Sequence, residues 1–530
     1  MTSHRDRPTG AVDLNVSFET VLPVPVLLRH QDVAEVNPKT LQPPRHINDR
    51  FTSPQAWSPL RKRLVLCLLC VATCFSSVAA SSYAPAKAAV AEEWGVSQVA
   101  ALVGITTFTT GFALTPMVLA PVSEVWGRRL VFTLTGVLFV ACQIGSALTQ
   151  SYPGMLVLRF FAGVGSSTYS SMVGGVISDI YGPQERNTPM AVFSGGALFG
   201  TGLGPLLCGF VVQHLGWRWI FWAQAIVNAV VVLAIFAFVP ETRRNVLLRR
   251  KAAALNLWYD DVGAEPNVVF RTTAPDAQQV IVCEKIAYKF ERDEEEHESI
   301  VRKIATSATL PFVLLFTEPV VFFFSLWAAF SWSILYLGFA AVPLIFTHVY
   351  HFDLSSANAV LASSCAASVI AMVVSIYQER WLDGLSNPKL PLHRPERRLY
   401  FSCVESICLP IGLLVFGWTA RIQIHWVVPA MGIGISTLGI FSVYLAVFNY
   451  LADSYHGYAS SALAAQSFCR NFIGGIFPLV TVQMYTNIGY GPASTLLSGI
   501  GLLLTACPWV LVAYGETIRA KSRFANKLAQ

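Results

Sequence analysis

Leu119-Ala-Pro-Val-Ser-Glu-Val-Trp-Gly-Arg-Arg129 is the stretch that decides the fold. It lies between two long apolar runs and packs an acid, a glycine and two arginines into a very short connection. A link that short between hydrophobic segments makes a tight turn at a membrane surface. There Glu124 can pair with Arg128 and Arg129, and all three can meet neighbouring helix ends. The flanking runs must then be spans, and the rest of the chain must supply others.

Composition agrees. The 530-residue chain is 54% hydrophobic and only 13% charged, with a mean hydropathy of +0.52. A soluble protein carries about 25% charged residues. Here charge comes in bursts, which excludes a soluble multidomain enzyme. At about 20 apolar residues per span, six spans fall at 64–84, 99–119, 130–149, 155–178, 189–211 and 218–239. Six more fall at 318–346, 355–378, 399–420, 426–451, 459–485 and 491–514. The reading is an all-α membrane protein of twelve transmembrane helices in two six-helix bundles, 64–239 and 318–514. Residues 1–63 read as a disordered tail, 240–317 as a hydrophilic central loop with an acidic run at Glu291–Glu296, and 515–530 as a second tail.

The basic balance reports topology and gives no sign of nucleic acid. Of 37 Lys and Arg residues, 32 fall in the tails, the central loop and the connections on one side. Cytoplasmic connections carry the Lys/Arg excess, so both termini are expected in the cytoplasm. Ten of the eleven cysteines lie in apolar runs and read as small packing residues. No metal-spaced His/Cys cluster, HExxH or Walker sequence occurs. The chain is therefore expected to be no enzyme and to need no metal or cofactor, with its energy drawn from a gradient.

The opening stretch resembles the loop motif between spans 2 and 3 of the major facilitator superfamily, G-x-L-a-D-r-x-G-r-k. Ala120 stands for the first glycine and Glu124 for the aspartate. Six spans plus six is that superfamily's layout, with the substrate site between the halves near the midplane. Gly200-Thr-Gly-Leu-Gly-Pro-Leu-Leu-Cys-Gly209 in span 5 resembles the G-x-x-x-G-P-x-x-G-G motif of drug:proton antiporters. Gly200, Gly204, Pro205 and Gly209 match it, and Cys208 replaces a glycine. SDIYGPQERNTPMAVFS (178–194), GWRWIFW (216–222), PETRRNVLLRRKA (240–252) and NYLADSYHGYASSALAAQSFCRNFIGGIFPL (449–479) resemble the fungal multidrug branch. The resemblance covers about residues 60 to 527 and implies proton-coupled efflux of small hydrophobic compounds by alternating access. The alternatives are an uptake symporter on the same fold and a non-transporting membrane sensor. The implied partners are a small hydrophobic substrate, protons and the lipid bilayer. A monomer in the plasma membrane is expected.

Individual residues carry the chemistry. Arg159 lies inside span 4, where a charge is costly and should face the bundle interior. The resemblance links it to proton coupling, and a snorkelling interfacial arginine is the alternative. Glu405, the one carboxylate well inside a span, is a second coupling candidate, with a helix-capping or interfacial role as its alternative. By resemblance Glu124, Gly127, Arg128, Arg129, Asp179 and Arg186 make a conformational latch on the cytoplasmic face, against a purely topological role. Span 7 is rich in aromatics, and Trp332 and Tyr336 are candidates for a substrate cavity. Arg470, in span 11, is the third. It can also be read as bonding backbone carbonyls, and Asp453 is a candidate partner. Ala340 stands where relatives often carry an acid, which argues against a strongly cationic substrate.

Overall fold

The computed structural model describes residues 9–15, 17, 24–29, 32–34, 51–182, 185–263, 268–273, 280–289, 300–384, 396, 399–455 and 458–521. The acidic run at 291–296 lies outside them.

Each expected span has a helix. Span 1 is Pro59–Ser81, span 2 Gln98–Trp126 and span 3 Arg128–Leu148. Span 4 is Tyr152–Ser171 continued by Val173–Ile180, span 5 Asn187–Leu215 and span 6 Arg218–Phe238. In the second half, span 7 is Pro319–Tyr350, and Leu354–Ala359 leads into span 8 at Ala362–Gly384. Span 9 is two pieces, Tyr400–Glu405 and Cys408–Thr419. Span 10 is Val427–Tyr455, span 11 Ala459–Ile488, and span 12 Tyr490–Leu504 followed by Ala506–Lys521. The starts are written locally. The side chains of Ser58, Ser97 and Ser151 accept the amides of Arg61, Ala100 and Gly154, satisfying donors that have no partner inside the helix.

Ten of these helices are long and apolar enough to cross a bilayer by composition. The other two are spans 4 and 11, and they hold Arg159 and Arg470. Both arginines are buried. A helix covered by protein can carry serine, glycine and arginine, whereas a lipid-facing one cannot. Outer faces are correspondingly greasy, as at exposed Leu233, Phe238 and Leu503.

The halves touch along two seams, span 2 with span 11 and span 5 with span 8. Thr106 Oγ1 donates to the Gly475 carbonyl at 2.7 Å. On the second seam Gly195, Gly202 and Gly209 recur every seven residues. A Cβ on each would meet Met372 Sδ at 3.0 Å, Cys365 Sγ at 2.9 Å and Asn358 Cβ at 2.8 Å. Those partners are also seven apart. Two antiparallel helices thus share a register of period seven along one close line.

On the face bearing the chain ends, the structure corrects the expectation of a disordered tail. The tail supplies β1 (Thr9–Asn15), β2 (Val24–Arg29) and β3 (Asp32–Ala34). The central loop supplies β4 (Val268–Thr273) and β5 (Val280–Lys289). They form one sheet in the order β1-β5-β4-β2-β3, with β1 parallel to β5 and the other pairs antiparallel. The reason is local: VPVLLR, VVFRTT and VIVCEKIAYK are rich in β-branched and apolar residues. Averaging over the polar tail hides them. The helix Arg244–Gly263 lies on this sheet, where the Asn256 amide bonds both the N–H and the carbonyl of Tyr288 at 2.7 and 3.1 Å.

Candidate functional site

The turn between spans 2 and 3 is built on Gly127. Its φ of +101° and ψ of 151° suit glycine alone. It brings an ion cluster together at the face bearing the chain ends. Arg128 Nε donates to Asp179 Oδ2 at 3.2 Å, and Arg243 reaches Asp179 Oδ1 at 3.6 Å and Glu124 Oε1 at 3.0 Å. Behind them Glu241 is buried. Its carboxylate accepts the amides of Arg128, Thr242 and Arg243 at 3.0, 3.0 and 2.9 Å, and that of Arg129 at 3.3 Å. An anion held at the start of span 3 meets the positive end of that helix.

Of the expected latch residues, the structure brings Glu124, Arg128 and Asp179 into one network, with Gly127 as its hinge. Arg129 turns aside: its Nη2 donates to the Phe236 carbonyl at 2.7 Å, and its guanidinium covers the Phe236 ring. Arg186 stands at the start of span 5, next to Glu185, whose carboxylate approaches Lys62 at 4.0 Å. The network needs two residues that motif reading passed over, Glu241 and Arg243. Both lie in the PETRR string immediately after span 6, so a signal was present, but pairing across more than a hundred residues is not readable from it.

The span-5 motif divides between two faces. A Cβ at Gly200 would meet the Cys74 carbonyl at 2.3 Å, and one at Gly204 would meet Ser81 Oγ at 2.1 Å. These two pack span 5 on span 1 within the first half. Gly209 belongs to the seam with span 8. Pro205 is buried within the helix.

Between the halves lies a cavity of about 690 Å³ including its mouth, walled by spans 2, 4, 10 and 11. Glu124 and Arg128 stand at its mouth, on the side of the chain ends. Ser170, Tyr444, Phe448, Gln466, Ser467 and Arg470 line it further in. The opposite end is fastened. Gln213 Nε2 donates to Asp353 Oδ2 at 2.8 Å, and the Ser355 amide donates to Gln213 Oε1 at 2.8 Å. Hydrogen bonds from Ser356, Gln213 and Ser355 hold the Asp353 carboxyl well below the usual range. The cavity thus lies on the side of the ion cluster, and these hydrogen bonds join the two halves at the other end.

Arg470 is 3% exposed. Among the described residues it makes no ion pair or hydrogen bond, and its Nε is unpaired. Neither Asp453 nor backbone carbonyls hold it. It lies instead over the rings of Trp332 at 4.4 Å and Tyr444 at 4.8 Å. Each such contact contributes up to about 2 kcal/mol when desolvated. An unpaired ion in the interior costs several kcal/mol, so the rings offset only part. Of the three expected cavity residues only Arg470 lies on the wall. Trp332 stacks behind it, and buried Tyr336 is within electrostatic reach of both Arg470 and Arg159. Phe322 and Phe323 face outward and Tyr350 is half-buried, while the other span-7 aromatics are buried.

Arg159 is fully buried and does not snorkel. Its Nε and Nη1 donate to the carbonyls of Gly104 at 3.1 Å and Ala79 at 3.2 Å, tying spans 4, 2 and 1. The rings of Tyr83 and Phe108 cover it, and Nη2 has no partner. Glu405 is elsewhere. It ends the first piece of span 9, is half-buried, and accepts a hydrogen bond from Gln378 of span 8. The two coupling candidates are therefore not brought together, because they lie in different halves and Glu405 is off the cavity.

The sequence profile of the Major Facilitator Superfamily matches residues 69–478. The chain belongs to the major facilitator superfamily. Two relatives are fungal. The transporter paaT of Penicillium rubens is 34% identical over 89% of this chain and 82% of its own length. The efflux pump FUB11 of Gibberella moniliformis is 29% identical over 89% of this chain and 75% of its own. Among solved structures, the Escherichia coli xylose transporter XylE, in a partially occluded inward-open conformation, superposes with a TM-score of 0.58. It is 14% identical over 85% of this chain and 97% of its own. That likeness concerns the twelve-helix fold alone.

Proposed function

We propose that this superfamily member is a proton-coupled efflux transporter that exports small hydrophobic compounds from the cytoplasm across the plasma membrane. The observation that carries the reading is the inter-half cavity. It carries Tyr444 and Phe448 on its wall, lies toward the face of the chain ends, and the halves are fastened at the other end. The basic excess on that face supports its assignment as cytoplasmic, so the cavity loads from the cytoplasm. The glycine–proline motif of span 5 and a relative named as an efflux pump support the outward direction. The ion cluster around Gly127 lies within the first half and the start of the central loop, so in this conformation it stiffens one rocking body instead of latching the two halves together. Glu405 belongs to the contact between spans 8 and 9, which leaves coupling on Arg159.

The test uses inside-out vesicles with an imposed acidic lumen. Efflux antiport requires accumulation of a fluorescent hydrophobic compound in them, and Arg159→Ala should abolish it while leaving the protein in the membrane. No proton-dependent accumulation by the unaltered protein would sink the reading. Wild-type rates in Arg159→Ala would remove the coupling role.

A further inference from the structure

We infer that the central cavity selects organic anions, and that the Arg470 guanidinium is the group that binds the negative end. The inference deepens the efflux reading and rests on it. Three observations converge. Arg470 is 3% exposed on the cavity wall, with no counter-ion among the described residues and an unpaired Nε. One turn earlier on the same helix, Gln466 is 2% exposed, lines the same cavity and has an unpaired Nε2. As placed, that amide leaves a buried donor without a partner. The only carboxylate among the described lining residues is Glu124 at the mouth, already paired with Arg243.

The charge balance then decides the class. A cationic ligand at this depth would meet an uncompensated arginine and no acid. A neutral ligand could accept a hydrogen bond but would leave the guanidinium charge uncompensated. A carboxylate or sulfonate supplies the missing acceptor for Arg470 Nε and a partner for Gln466 in one group. Trp332 and Tyr444, whose ring centroids are 5.3 Å apart, cover the guanidinium from one side and leave the side on the cavity wall to an anion. Tyr444 and Phe448 also line the cavity, so the body of the ligand can be flat and apolar. The substrate class is an aromatic or amphiphilic organic anion.

The experiment uses the purified full chain in lipid nanodiscs and three probes sharing one ring. These are naphthalene-2-sulfonate, naphthalene-2-carboxamide and trimethyl(2-naphthyl)ammonium. The unaltered protein should bind the sulfonate at least about tenfold more tightly than the carboxamide, and the ammonium weakest. Arg470→Gln should weaken sulfonate binding about tenfold and move the carboxamide less than about threefold, with Arg470→Lys in between. Ammonium binding as tight as sulfonate binding in the unaltered protein overturns the inference, and this arm needs no variant to fold. Equal loss of all three probes in Arg470→Gln also overturns it, because that is what a packing role gives. Outward transport is measured separately in vesicles. Charge-ordered binding without outward movement would keep the anion site and remove the efflux reading.

Discussion

Gly127→Ala tests the turn on which the fold was first read. Two separate costs are legible. The backbone, at φ +101° and ψ 151°, lies in a region essentially reserved for glycine, and forcing another residue into it costs about 1–3 kcal/mol. The new Cβ would also lie 2.2 Å from Glu241 Oε2, so the carboxylate must move. Glu241 holds four amides, two of them in span 3. Hydrogen bonds to a charged group contribute about 1.5–3 kcal/mol each, so losing the two cross-links to span 3 costs about 3 kcal/mol at the lower bound. Gly127→Ala should then cost about 4–6 kcal/mol.

The two costs separate in a double-mutant cycle. Glu241→Ala alone, which removes all four hydrogen bonds, should cost about 6 kcal/mol at the same lower bound. In that background the carboxylate is gone, so adding Gly127→Ala should cost only the backbone strain, about 1–3 kcal/mol. The expected coupling is therefore about 3 kcal/mol, well above the few tenths found for independent sites. The assay is unfolding of the purified protein in detergent, followed by far-UV circular dichroism and size-exclusion recovery. Equal cost of Gly127→Ala with and without Glu241 would refute the steric argument. A silent Gly127→Ala would refute both parts.

The two faces of span 5 predict different failures. Gly200→Ala meets a backbone carbonyl of span 1 and should lower membrane abundance, whereas Gly202→Ala meets the Cys365 thiol across the halves and should keep abundance but slow export; abundance and initial export rate, measured on the same vesicles, check both. At the fastened end, the depressed pKa of Asp353 means its contribution is present above the unfolded value of about 3.9 and is lost only as pH falls through the lower folded value. The exchange protection of the Ser355 and Ser356 amides should then stay constant from about pH 7 to pH 4 and fall in Asp353→Ala; loss by about pH 5 in the unaltered protein would contradict this.

Much of the fold was legible because lipid imposes it. Charge bursts and apolar lengths located every span, and the basic residues located the face of the chain ends. The sheet was not legible, because its five strands come from segments hundreds of residues apart and β1 pairs with β5 over that distance. The site was legible as residue types and illegible as pairings. Arg159 and Arg470 are both arginines inside spans. Only the structure shows that one is tied to two carbonyls while the other has none. The period-seven glycines of span 5 were present in the sequence, overlaid on the four-residue spacing of Gly200 and Gly204.

That overlay explains how one helix serves two requirements. For two halves to rock, each must be rigid and the line between them must slide. The carbonyl contact of Gly200 and the serine and carbonyl contacts of Gly204 join span 5 to span 1 within one half, and backbone cannot give way. The partners across the seam at Gly195 and Gly202 are a thioether and a thiol, side chains that can shift their rotamers as the helices move. Behind those first contacts lie stiffer ones: Met372 Cβ at 3.1 Å for Gly195, and the Cys365 amide and Leu361 carbonyl at 3.4 Å for Gly202, while Gly209 meets Asn358 Cβ at 2.8 Å. Closing the mouth then carries spans 10 and 11, and with them Arg470, toward Glu124 and Arg128. A ligand held on Arg470 is presented to the opposite face as the Gln213–Asp353 fastening parts.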